Sequence, residues 1–61
     1  MGKGFLSYLT GYRITQAKLL LKHTSMSIID ISSAVGFKTQ SYFSKTFKAM
    51  TGMTPRQYRS L

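Results

Sequence analysis

The sequence predicts an all-α fold of three to four helices. Three observations carry this. Apolar residues recur at helical spacing in three separate stretches, and no stretch alternates as a strand would. Each of the later stretches is preceded by a Ser or Thr suited to cap a helix. Glycines stand where the second and third helices should stop.

The first helix is expected over residues 5–22. At about 100° per residue its apolar positions cover two arcs. Phe5, Tyr8, Leu9, Tyr12, Leu19 and Leu20 form one, and Ile14, Ala17 and Leu21 form a second beside it. Ser7, Thr15, Lys18 and Lys22 fill the polar strip. That apolar coverage is too wide for a helix serving one small core, and it implies a helix covered from two sides. Gly11 lies mid-helix, where it costs about 1 kcal/mol relative to alanine and can allow a bend.

His23 to Met26 should form a loop. Ser27 then caps a helix over 28–35, with Asp30 as its capping-box partner. Asp30 could also pair with Arg13. Gly36 suits a left-handed C-terminal position. Residues 37–39 make a turn, and Thr39 caps a helix over 40–51 that ends at Gly52. Thr54, Pro55 and Gln57 begin a last short helix, 55–60, with Pro55 at its first position and a second capping box. Tyr58 and Leu61 should pin that helix to the core. The four methionines look like packing residues. A faint echo relates Gly2 to Tyr8 with Gly52 to Tyr58, glycine and tyrosine standing at the same separation in both.

Composition narrows the function. The chain has 61 residues, with nine Lys and Arg against one acidic residue and a net charge of +8. A chain of this size buries only about 60% of the surface its unfolded form exposes, which leaves no room for a large catalytic cleft. Such a basic balance points to a polyanion, most often nucleic acid. Cysteine is absent, so no disulfide staples the fold. No apolar run reaches the roughly 20 residues that span a bilayer. A cationic membrane-surface peptide would need one broad lipid-facing stripe and no caps. The caps at Ser27, Thr39 and Thr54 favour a folded domain instead. No nucleophile–base set, phosphate-cradling glycine motif or metal cluster is present, and His23 stands alone, so neither enzyme activity nor a cofactor is expected.

The pair of helices around Gly36 reads as a helix-turn-helix of homeodomain-like type. On the second helix of the pair, Gln40, Ser41, Ser44, Lys45 and Lys48 share an arc of about 140°, while Phe43, Thr46, Phe47 and Met50 share the opposite one. The first arc is short, polar and cationic. Gln pairs bidentately with adenine, Lys reaches guanine acceptors, and Ser serves either. Gln40, Ser41, Ser44 and Lys45 are therefore the candidate base contacts. Lys38, Thr39, Lys48 and Arg13 are candidate phosphate contacts, with Arg56 and Arg59 as further ones. The free amides at Gln40 and Ser41 add an anion site at a helix N-terminus.

Arg13-Ile14, Ala17, Leu20-Leu21, Ile28, Asp30-Ile31, Val35-Gly36-Phe37, Ser41-Tyr42-Phe43-Ser44, Phe47-Lys48, Gly52, Pro55 and Tyr58-Arg59 closely resemble the signature of the AraC/XylS family of bacterial transcription regulators. The likeness covers the chain from Gly2 onward. It implies a long linker helix over 5–22 followed by the second of two helix-turn-helix units, with helix 40–51 in a major groove. The family's first unit is then missing, and the chain is expected to be a fragment or a truncated gene product. The same likeness explains the internal echo, since both units would end alike. Ser32 stands where the family often has alanine, and Gly11 is unusual in the linker.

The resemblance further implies sequence-specific binding of double-stranded DNA, activation of transcription in the bacterial cytoplasm at the nucleoid, and contact with RNA polymerase. A lone unit should bind weakly, near the non-specific range of about 10⁻⁴ to 10⁻⁶ M. The alternative is a protein-interaction module, self-associating through Tyr8, Tyr12 and Leu19 on the linker helix.

Overall fold

In a computed structural model the chain is described over residues 2–61, with side chains from Tyr8 onward. Four helices follow one another: α1 (Gly2–His23), α2 (Ile28–Ala34), α3 (Gln40–Thr51) and α4 (Pro55–Arg59). No strand occurs among the described residues. At 1.5 Å per residue α1 is about 33 Å long, and it sets the 36 Å long axis of the molecule. It packs against each of the other three helices.

α1 extends beyond 5–22 at both ends. His23 belongs to its last turn rather than to the loop. Thr24 ends the helix, donating both its N–H and its hydroxyl to the Leu20 carbonyl, at 3.1 and 2.6 Å. The helix runs through Gly11, whose carbonyl accepts from the Thr15 hydroxyl at 3.0 Å. The expected placing of Phe5 and Ser7 on its faces lies outside the described residues.

The two apolar arcs of α1 have different fates. Ile14, Ala17 and Leu21 are buried, with Ile31, Phe37, Phe43 and Phe47 completing the core. Tyr8, Tyr12 and Leu19 are half or more exposed. Ala17 and Ser32 are both buried, and their small side chains suit a close approach of α1 and α2. The buried Ser32 hydroxyl donates to the Ile29 carbonyl at 2.7 Å, so no polar group is stranded there.

The caps form at each expected residue. Ser27 accepts from the Asp30 N–H, Thr39 from Tyr42 and Thr54 from Gln57. The box at Thr54 is reciprocal, because the Gln57 amide oxygen also accepts from the Thr54 N–H. At Ser27 only the bond from the Asp30 N–H is described. Asp is one methylene shorter than the Glu or Gln that closes such a box. Val35 and Ser60 sit at the C-caps of α2 and α4 rather than inside those helices.

Gly36 and Gly52 have φ of 102° and 89°, the left-handed conformations that end α2 and α3. Aromatic rings then tie the turn to α4. Phe37, Phe43, Phe47 and Tyr58 follow one another at centroid distances of 5.2, 5.7 and 5.5 Å, all tilted or edge-on. Leu61 does not pin α4, since its side chain is 75% exposed. Its carbonyl instead accepts from the Lys22 ammonium at 3.1 Å, whose cation lies 5.5 Å from the Tyr58 ring centre.

Candidate nucleic-acid interface

α3 divides as its periodicity requires. Phe43 and Phe47 are fully buried, which fixes the rotation of the helix about its axis. Ser41, Lys45 and Lys48 are consequently on the exposed side, and Gln40, which falls close to Phe47 in rotation, is exposed because it opens the helix. Ser44 is half-buried rather than open, because it borders a cleft shared with Thr54 and Pro55. Met50 is half-exposed and not a core residue. It lies along α1, with its terminal methyl 3.9 Å from the point a Cβ on Gly11 would occupy.

The turn before α3 supplies further polar groups. Lys38 and Thr39 are exposed at the mouth of the helix. Thr39 uses its hydroxyl oxygen as the cap, yet the hydroxyl proton is still available to a second acceptor. The N–H groups of Gln40 and Ser41 lie in the first turn, where an α-helix has no internal partner to offer.

Arg13 reaches the same turn from α1. Its guanidinium carbon stands 5.9 Å from the centre of the Phe37 ring. Its Nε would be only 3.1 Å from a Cβ on Gly36. The expected pairing with Asp30 gives way to this stacking. Asp30 is in the first turn of α2, whereas Gly36 and Phe37 follow its last turn, about 9 Å further along the axis at 1.5 Å per residue. Arg13 thus braces the turn, while part of it lines a cleft with Lys38 and Tyr42.

The two C-terminal arginines differ. Arg59, a phosphate candidate by sequence, is engaged elsewhere. Its Nε donates to the Leu21 carbonyl and its Nη2 to the Thr24 carbonyl, each at 3.1 Å. It therefore closes the C-terminal end of α1, where unpaired carbonyls and the negative pole of the helix favour a cation. Arg56 is exposed and borders the cleft beside Gln40 and Ser44.

A family described as "Helix-turn-helix domain" matches residues 1–60. The arabinose operon regulatory proteins of Salmonella typhimurium and Escherichia coli are each 45% identical over 60 residues, which is 98% of this chain. The chain belongs to the AraC-type helix-turn-helix family. The HTH-type transcriptional activator RhaR of Escherichia coli is 46% identical over 54 residues, or 88% of the chain. This member of the family spans about a fifth of the length of the curated relatives it matches, from 19% to 21%. Among solved structures it resembles the C-terminal domain of the two-component response regulator yesN from Fusobacterium nucleatum. The TM-score is 0.89 at 42% identity, covering 90% of this chain and 53% of that one. Among the described residues of this AraC-type chain, no helix is long and apolar enough to cross a membrane.

Proposed function

We propose that the chain is a sequence-specific DNA-binding module of a bacterial transcription regulator, with α3 entering the major groove. The observation that carries this reading is the division of α3: Phe43 and Phe47 are wholly buried, while Ser41 and Lys45 are exposed along the opposite side and Gln40 is exposed at the helix N-terminus. Gln40, Ser41, Ser44 and Lys45 meet base edges, and small serines let the helix approach the groove floor. Lys38, Thr39, Lys48 and Arg13 meet phosphates, which hold register without reading sequence. The names of the relatives, operon regulatory protein and transcriptional activator, favour activation of transcription; work in the bacterial cytoplasm and contact with RNA polymerase belong to the same proposal.

The test is a titration against a library of duplexes. Gln40→Ala and Ser41→Ala should change base preference, whereas Lys38→Ala should weaken every sequence alike. With one unit, affinity should fall near the non-specific range of about 10⁻⁴ to 10⁻⁶ M. An unchanged preference and affinity in Gln40→Ala would overturn the assignment of the reading face, and nanomolar specific affinity would overturn the weak-binding expectation.

The exposure of Tyr8, Tyr12 and Leu19 favours a second role, self-association along α1. Light scattering at high concentration should then show a mass above one chain, and a strictly monomeric profile would count against it.

A further inference from the structure

Two clefts flank α3 on opposite sides. One is lined by Gln40 and Ser44 of α3, by Thr54, Pro55 and Arg56 at the start of α4, and by Ile28. On the other flank Arg13, Lys38 and Tyr42 surround Gly36 and Phe37. Their positions agree with the helical wheel. With Gln40 at 0° and Ser44 near 40°, this pair lies roughly opposite Tyr42, near 200°. Asp30, the sole acidic residue, borders neither cleft.

A helix with its side chains is about 10–12 Å across, and the major groove is about 12 Å wide. A helix lying in the groove therefore brings both of its flanks against phosphate ridges, one from each strand. Each cleft here has groups suited to such a ridge. Among the described residues Arg56 is the only cation lining its cleft, and its guanidinium carries several N–H donors in a planar fork. The backbone at the start of α4 offers little else: Pro55 has no N–H and those of Thr54 and Gln57 are held in the capping box, which leaves only the N–H of Arg56 itself. On the other flank Tyr42 is 58% exposed. Its ring rests 5.7 Å from the Phe37 ring, so the hydroxyl is carried at the end of a braced aromatic body.

We propose that α3 is straddled by the two strands, with Arg56 gripping a phosphate of one and the Tyr42 hydroxyl donating to a phosphate of the other. This rests on the reading that α3 enters the groove. It makes α4 a DNA-contacting element in addition to a packing one. Arg56 approaches from behind the flank of α3, at the rim of the groove, so it adds affinity and no base preference.

The test uses the 61-residue chain and a pool of random 20-base-pair duplexes over a salt series. Arg56→Gln should lower affinity on the order of tenfold at 0.1 M salt and reduce the slope of log K against log salt by about 0.9, equally on all sequences. Arg56→Lys should keep the slope. Tyr42→Phe keeps the ring on Phe37 and removes no charge, so it should weaken binding a few-fold with the slope unchanged. One duplex from the pool is then made with neutral methylphosphonates in one strand at a time. Arg56→Gln should reduce the penalty from one strand only and Tyr42→Phe that from the other only. An unchanged slope in Arg56→Gln, a changed base preference in that variant, or coupling of both residues to the same strand would overturn the proposal. Failure of the unsubstituted chain to bind any duplex would instead sink the DNA-binding reading, and this proposal with it.

Discussion

The Arg59 guanidinium closes the C-terminal end of α1 by donating to the Leu21 carbonyl at 3.1 Å, 38 residues away in sequence, and to Thr24 at the same distance. α4 has only five residues, so helix propensity contributes little to its stability. This clamp and the packing of Tyr58 on Phe47 hold it in place. Arg59→Ala should cost about 1.5–3 kcal/mol, the range for hydrogen bonds to charged groups. Arg59→Lys should recover only part, because an ammonium lacks the fork that reaches both carbonyls. Thermal unfolding followed by circular dichroism checks both variants.

The glycines should respond in opposite directions to alanine. Gly11 lies inside α1, and an added Cβ would meet only the Met50 methyl at an ordinary 3.9 Å. Gly11→Ala should stabilise by about 0.5–1 kcal/mol. At Gly36 the φ of 102° is unfavourable to any Cβ, and the Arg13 Nε would stand 3.1 Å from it. Gly36→Ala should therefore cost at least about 1–2 kcal/mol. Urea midpoints at constant slope distinguish the two.

Ser32→Ala should be close to neutral. The lost bond to the Ile29 carbonyl is local, within the turn of a helix, and alanine is the better helix former. A loss above about 1.5 kcal/mol, the upper end for one neutral hydrogen bond, would mean that the hydroxyl fills space between α1 and α2 that a methyl leaves empty.

Thr54→Ala removes one half of a reciprocal box and leaves the Gln57 N–H without its acceptor. The expected cost is about 1 kcal/mol. Amide exchange should accelerate within α4 more than within α3, since the cap acts on its own helix.

Much of the second half of the chain was legible from its residues. Thr39, Gly52 and the four-residue interval between Phe43 and Phe47 bound and orient α3 through local rules of capping, handedness and period, and these rules need no tertiary partner. The exposed side of the candidate interface follows from the same period. Ser44 was less legible, because α4 folds back beside it and half-buries it. Met50 deviated for a similar reason, as the crossing of α1 leaves it at the rim of the core rather than inside it. The residues alone allow Arg13 either to meet a phosphate or to pair with Asp30, and the aromatic face of Phe37, beyond the end of α2, takes it in place of Asp30.

Helix type, caps and the polar edge of α3 are written in short stretches of residues, since hydrogen bonds and side-chain spacing within a few positions suffice to specify them. α1 shows where that stops. Its two apolar arcs looked alike in sequence, yet Ile14, Ala17 and Leu21 are buried while Tyr8, Tyr12 and Leu19 face outward. Choosing between the arcs, and pairing Arg59 with Leu21 and Lys22 with Leu61, depends on how helices distant along the chain cross one another. Such crossings are set by packing across the whole core, which no local pattern encodes.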